Sequence, residues 1–63
     1  MRSISDALQR YIGRELNINV VEGEEIYGTL RECGDNWILI TDEDNTDFIF
    51  NTNKIIYVYV EEN

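Results

Sequence analysis

The chain has no histidine, no proline and one cysteine in 63 residues, and its five Lys and Arg face thirteen Asp and Glu. Each scarcity removes a class of function. Without histidine the commonest general base near neutral pH is missing, and Cys33 has no imidazole partner to activate it as a nucleophile. Nothing in the pattern singles out two of the many carboxylates as an acid and base pair, so the chain reads as a protein that is not an enzyme and needs no cofactor. A single cysteine excludes an intrachain disulfide and reads as a reduced, buried thiol in a cytoplasmic protein. No apolar run approaches the roughly 20 residues that cross a bilayer, and "MRSISDALQR" lacks the apolar segment of a signal peptide. The expectation is a soluble protein with no membrane partner.

Positive charge is scarce and also uneven. Residues 1–14 carry Arg2, Arg10 and Arg14 against Asp6, a net +2, whereas residues 15–63 carry Arg31 and Lys54 against twelve carboxylates, a net −10. Affinity for a nucleic-acid backbone comes from counterions released by Lys and Arg, and the body of this chain has no basic stripe. DNA is therefore not an expected partner.

What is present changes period along the chain. In "SISDALQRYIG" Ile4, Leu8, Tyr11 and Ile12 fall at helical spacing with Ala7 beside them. Ser3 followed by Asp6 is an acidic form of the capping box, and Gly13 can end the helix, predicted over about residues 3–14. If the helix runs that far, Arg10 and Arg14 share a face opposite the apolar stripe. From Leu16 the apolar residues alternate with Asn17 and Asn19, the mark of a half-buried strand, and Glu22-Gly23 supplies a turn. The next strand, "EEIYGTLREC", has Gly28 in its interior, which marks a sharp bend or a close backbone approach. A turn at Gly34-Asp35, then "NWILIT", the polar loop "DEDNT", "DFIF", "NTN" and "KIIYVYV" complete five short strands. Such closely spaced turns favour a single mainly β domain spanning residues 1–63: an N-terminal α-helix followed by a five-stranded, strongly bent antiparallel small barrel over about residues 16–60.

Two local patterns invite a chemical reading. Asp42, Asp44 and Thr46 have the alternate spacing of a calcium loop, but the turn glycine is absent and Asn53 stands where a bidentate Glu belongs, so "DEDNTD" reads as an acidic hairpin tip with no metal. Trp37 and the tyrosines could stack on bases; the run Trp37, Ile38, Leu39, Ile40 reads first as a strand buried on both faces.

The chain's end raises the question of cover. Ile55, Tyr57 and Tyr59 lie on one face of the last strand and Ile56, Val58 and Val60 on the other, so both faces are apolar. Both faces of Phe48, Ile49 and Phe50 are apolar as well. A small open barrel leaves two edges with unpaired backbone groups, and an apolar edge is an aggregation hazard. Pairing the fourth strand of one copy with the fifth of the next hides Phe48, Ile49, Phe50, Ile56, Tyr57, Val58 and Tyr59 in a heterologous contact that closes into a ring.

With these residues in hand, the chain resembles the Sm-like (LSm) family, most closely its bacterial Hfq branch. The resemblance rests on "LQRYIGREL" before the first strand, Glu22-Gly23 and Gly28-Thr29-Leu30 in "VVEGEEIYGTL", "CGDNWILI" from Cys33 to Ile40, and "FIFNTNKIIYVYV" with one residue inserted. It implies a ring of five to seven copies, of SH3-type small-barrel fold, that holds single-stranded RNA at its pore. The residues it assigns there are Asn36, Asn51 and Thr52 toward base edges, Trp37 as a neighbouring aromatic, Lys54 toward a phosphate, and Arg10 and Arg14 as a basic rim. Several positions depart from the family pattern. The family's pocket aromatic falls on Asn36, its Asp on Gly34, the basic pair of its last loop on Asn51-Thr52, and its adenine-stacking aromatic on Asn19 beside Glu24 and Glu25. Two functional expectations follow: a ring that binds short single-stranded RNA weakly, or a protein-only structural or adaptor ring that has lost RNA binding.

Overall fold

A computed structural model of the protein describes residues 3–21 and 23–62. Its elements run α1 (Ile4–Leu8), a 3-10 turn (Gln9–Tyr11), β1 (Glu15–Val20), β2 (Glu25–Cys33), β3 (Trp37–Thr41), β4 (Asp47–Asn51), a second 3-10 turn (Thr52–Lys54) and β5 (Ile55–Val60). The strands form one antiparallel sheet in the order β4-β3-β2-β1-β5. The sheet is open: β4 pairs only with β3 and β5 only with β1, so the expected closure of a barrel is not made within the chain. Among the described residues no helix is long and apolar enough to cross a membrane. The turn expected at Glu22-Gly23 falls partly on Glu22, which lies outside the described residues; Gly23 has a φ of 84° and donates to the Val20 carbonyl at 2.9 Å.

The helix starts where the capping box placed it. The Ser3 hydroxyl accepts from the Asp6 N–H at 3.2 Å, and the Ser3 N–H donates to Asp6 Oδ2 at 3.1 Å. It is shorter than the expected 3–14. After Tyr11 the chain becomes extended at Ile12, Gly13 takes a φ of 96°, the Gly13 N–H donates to the Leu30 carbonyl, and the Leu30 N–H donates to the Arg14 carbonyl. Backbone groups that would have continued the helix are spent on β2 instead. Ile12 is consequently exposed, and Arg10 and Arg14 do not share a helix face.

The sheet buries one face. Leu16, Ile18 and Val20 of β1, Leu30 of β2, Ile38 and Ile40 of β3 and Ile55 of β5 form the core with Leu8 of α1, and Ile26, Cys33, Phe50, Val58 and Val60 pack against it. The run from Trp37 to Ile40 alternates: Ile38 and Ile40 are buried, Trp37 is exposed and Leu39 half-buried, which corrects the expectation of a strand buried on both faces. A register shift corrects the faces of β5. Val20 pairs with Ile55 but Asn19 with Tyr57, so Ile56 is an extra residue, and Ile55 joins Val58 and Val60 on the core side. Arg31 is likewise extra between the pairs Leu30–Ile40 and Glu32–Leu39.

Gly28 occupies the close approach that its position in β2 suggested. A Cβ there would lie 2.6 Å from both the Thr41 carbonyl oxygen and Ile40 Cγ2, and the former is backbone that cannot swing aside. Gly28→Ala is therefore expected to destabilise the fold by about 1–3 kcal/mol, the usual range for overpacking. Urea denaturation of the two proteins checks this, and an unchanged midpoint would mean that β2 and β3 are further apart.

Candidate functional site

The loops at one end of the sheet bring four of the expected site residues together. The Gly34 N–H donates to the Trp37 carbonyl at 2.9 Å and closes the β2–β3 turn. Across from it the Thr52 N–H donates to the Asn36 carbonyl at 2.9 Å, and Trp37 pairs with Asn51 at the start of the β3–β4 ladder. Asn36, Trp37, Asn51 and Thr52 are thus one patch, held by backbone bonds. The helix steadies the same turn, because buried Ser5 donates from its hydroxyl to the Asp35 carbonyl at 3.3 Å and Gln9 Nε2 donates to the Cys33 carbonyl at 3.4 Å.

Their side chains are not equally available. Asn36 and Asn51 are exposed, but Asn51 Oδ1 already accepts from the Asn53 N–H at 2.9 Å, which leaves its amide donors free. Thr52 is buried, so its hydroxyl is a poor candidate for reading a base edge. Trp37 rests against Gly34: a side-chain carbon at Gly34 would collide with the indole Nε1 and Cε2. The glycine that replaces the resemblance's expected Asp therefore makes the seat for the neighbouring tryptophan.

The cations expected at the site sit on three different segments. Lys54 is exposed at the end of the second 3-10 turn, where its carbonyl accepts from the Val21 N–H at 2.8 Å. Arg10 is exposed on the first 3-10 turn. Arg14 is half-buried, donates from Nη2 to the Glu61 carbonyl at 3.0 Å, and leaves a covered Nε that donates to nothing among the described residues. It ties the entry of β1 to the end of β5, whereas Arg10 lies on the 3-10 turn before it.

The residues expected at an interface lie on the two free edges. On β4, Ile49 is 72% exposed and Phe48 38%, while Phe50 is half-buried with its ring stacked on Phe48 at 6.2 Å between centroids. On β5, Ile56, Tyr57 and Tyr59 are exposed and Val58 is half-buried. Beside β5 a groove of about 410 Å³ runs against the helix, lined by Ile4, Ala7, Tyr11, Ile56, Val58 and neighbouring apolar residues. Ala7, beside the helix's apolar stripe, is exposed and lines this groove.

At the opposite hairpin, Asp42 Oδ1 accepts from the N–H groups of Asp44 and Thr46, both at 2.9 Å, and Asn45 takes a φ of 65°. One oxygen of the loop's first carboxylate is committed to the turn itself. Among the described residues no group of three His, Cys, Asp or Glu is close enough to hold a metal. Cys33 is half-buried rather than buried, and desolvation raises its pKa, which keeps it a thiol at neutral pH. Tyr27 also titrates above its ordinary value, first because its hydroxyl donates to Glu15 Oε1 at 3.0 Å, then through desolvation and the negative field of Glu15, Glu61 and Glu43.

No model of a known protein family matches the chain, and no curated protein matches it in sequence.

The seat of Trp37 can be tested directly, because it is the chain's sole tryptophan and Gly34 has an ordinary backbone conformation that alanine tolerates. In Gly34→Ala the indole is expected to leave its seat, so fluorescence moves to longer wavelength and acrylamide quenching rises while the far-UV spectrum stays the same. Unchanged emission and quenching would show that the ring does not rest there.

Proposed function

We propose that the protein is an Sm-like, ring-forming module, its bent and open sheet related to the small barrels of the SH3 type, in which the β4 edge of one copy pairs with the β5 edge of the next. The observation that carries this reading is the pair of free antiparallel edges, each lined by exposed apolar side chains: Ile49 on β4, and Ile56, Tyr57 and Tyr59 on β5. Unpaired N–H and C=O groups on an apolar edge call for a partner strand, and a fourth strand meeting a fifth is heterologous, so repetition with a suitable rotation closes a ring. The groove between α1 and β5 gives a neighbour's Phe48 or Ile49 somewhere to go. Five to seven copies suit the family resemblance.

In this proposal the ring holds short single-stranded RNA weakly through Asn36, Trp37 and Asn51, with Thr52 supporting the loop by its backbone bond to Asn36. Repetition multiplies a weak site when one strand reaches several copies. Lys54 is the cation nearest in sequence to these loops, so salt should weaken binding only gently, with a slope of about −0.7 in log K per lysine engaged. A net charge of −8 per copy favours the second reading, a protein-only adaptor ring, because each added copy raises the repulsion of phosphate.

Native mass spectrometry at micromolar concentration is expected to give one closed assembly, and a monomer at that concentration removes the ring. Ile56→Glu is the informative variant, since Ile56 is 59% exposed and outside the core, whereas Val58→Glu also injures the core. It is expected to dissociate the assembly at concentrations where the parent is intact, with an unchanged circular dichroism spectrum, because it buries an unpaired charge in the seam. Titration of U-rich and A-rich oligoribonucleotides across a salt series then separates the two readings: saturable binding at low salt supports the RNA ring, and its absence for both leaves the protein-only ring.

A further inference from the structure

The sheet face that looks away from the core carries an ordered array of tyrosines and acids. Register places Tyr59, Asn17 and Tyr27 side by side across β5, β1 and β2, with Tyr57, Asn19 and Glu25 in the next row. On the other side of the tyrosine row Glu15 pairs with Thr29, and the Glu61 N–H donates to the Glu15 carbonyl at 3.0 Å. Tyr27, Tyr57 and Tyr59 are 45, 57 and 63% exposed. No Lys or Arg belongs to these rows. Edge pairing by β5 uses backbone groups in the plane of the sheet and leaves Tyr27, on β2, outward, whereas Tyr57 and Tyr59 are shared with the β5 edge of the proposed ring.

Flat aromatic rings in the open attract two kinds of group, nucleic-acid bases and cations. Bases arrive with phosphates, which Glu15, Glu25 and Glu61 repel. A guanidinium arrives with the charge these residues attract, stacks on a phenol ring, and offers N–H donors in a planar fork to carboxylates. Lysine, a compact and strongly hydrated charge, matches the rings less well. At the centre of the array the Asn17 Oδ1 is covered and accepts no hydrogen bond from the described residues, so recognition falls to the exposed tyrosine rings and the flanking carboxylates. The negative field at the Tyr27 hydroxyl, to which Glu15, Glu61 and Glu43 all contribute, extends the same complementarity.

The geometry points to a docking face for an arginine-bearing segment of another protein, its guanidinium stacked on the Tyr59–Asn17–Tyr27 row and paired with the flanking carboxylates. The recognised chemistry is an arginine side chain in a segment flexible enough to lay its guanidinium on this face.

The test uses the full chain and a fluorescein-labelled peptide of three Arg-Gly-Gly repeats, beside a Lys-Gly-Gly peptide of equal charge and a short single-stranded RNA. Anisotropy is expected to show saturable binding of the arginine peptide, at least about threefold tighter than the lysine peptide, with amide shift changes concentrated on β5, β1 and β2. Tyr27→Ser and Tyr59→Ser are each expected to weaken it about two- to fivefold. Glu15→Gln with Glu25→Gln should weaken it further than Asp35→Asn with Asp44→Asn, which removes the same charge elsewhere. Circular dichroism checks that each variant is folded. Equal loss from the two charge pairs, equal affinity for the lysine peptide, shift changes away from this face, RNA bound on these tyrosines, or no saturation by about 1 mM peptide would each overturn the assignment.

Discussion

Between β2 and β3 there is no room for a side-chain carbon at position 28, where a Cβ would stand 2.6 Å from the Thr41 carbonyl oxygen. That close approach, together with the extra residues Arg31 and Ile56 in the flanking ladders, bends the strands and raises their twist. The need for such bending follows from the cover available. Leu16, Ile18, Leu30, Ile38 and Ile40 are wholly removed from solvent, yet the five-residue α1 contributes only one buried apolar side chain, Leu8, to cover them. A flat sheet under so short a helix would leave part of this face wet. The sheet must therefore cover its own core, and a glycine at the tightest point makes that possible.

Bending the sheet also decides where the remaining apolar and acidic side chains go. The inner face takes aliphatic residues of β1, β2, β3 and β5 with Phe50 of β4 packed against them, and surplus apolar side chains fall on the free edges of β4 and β5. Carboxylates are left to the hairpin tip, where Asp42 caps its own turn, and to the outer face, where Glu15 holds the Tyr27 hydroxyl. Three surfaces of different character result: apolar edges, a polar loop patch around Asn36 and Asn51, and a tyrosine-rich acidic face. The proposed RNA contact draws on the loop patch, whereas the proposed ring and the proposed arginine-docking face meet at Tyr57 and Tyr59 of β5.

Much of the fold was legible because short-range chemistry and periodicity agree. The Ser3–Asp6 capping box, the alternation through Leu16, Ile18 and Val20, and the interior Gly28 all appear in the structure as read. The helix end was not legible. Gly13 and Arg14 have helical spacing to Arg10, and only the distant Leu30 draws their backbone groups away. The faces of β5 were misread for a related reason: a bulge at Ile56 shifts every later residue by one, and no local feature of "KIIYVYV" announces it. For the loop patch, the resemblance brought Asn36, Trp37, Asn51 and Thr52 to notice, but not the burial of Thr52 or the dependence of Trp37 on Gly34. The outer array escaped notice because Asn17, Tyr27 and Tyr59 are far apart in the chain and meet only through register.

From its order of residues alone this protein is a short, acidic, mainly β chain with one capped helix, five strands, no histidine and too little basic charge for a general phosphate surface. Those properties depend on composition and on neighbours a few residues apart, which any reading of the chain can reach. Tertiary structure decided which apolar residues are hidden and which are left on the edges, that Arg14 serves the Glu61 carbonyl, and that tyrosines from two strands flank an asparagine from a third. These depend on strand register, which long-range backbone pairing and the two bulges set, and a shift of one residue would reverse every face.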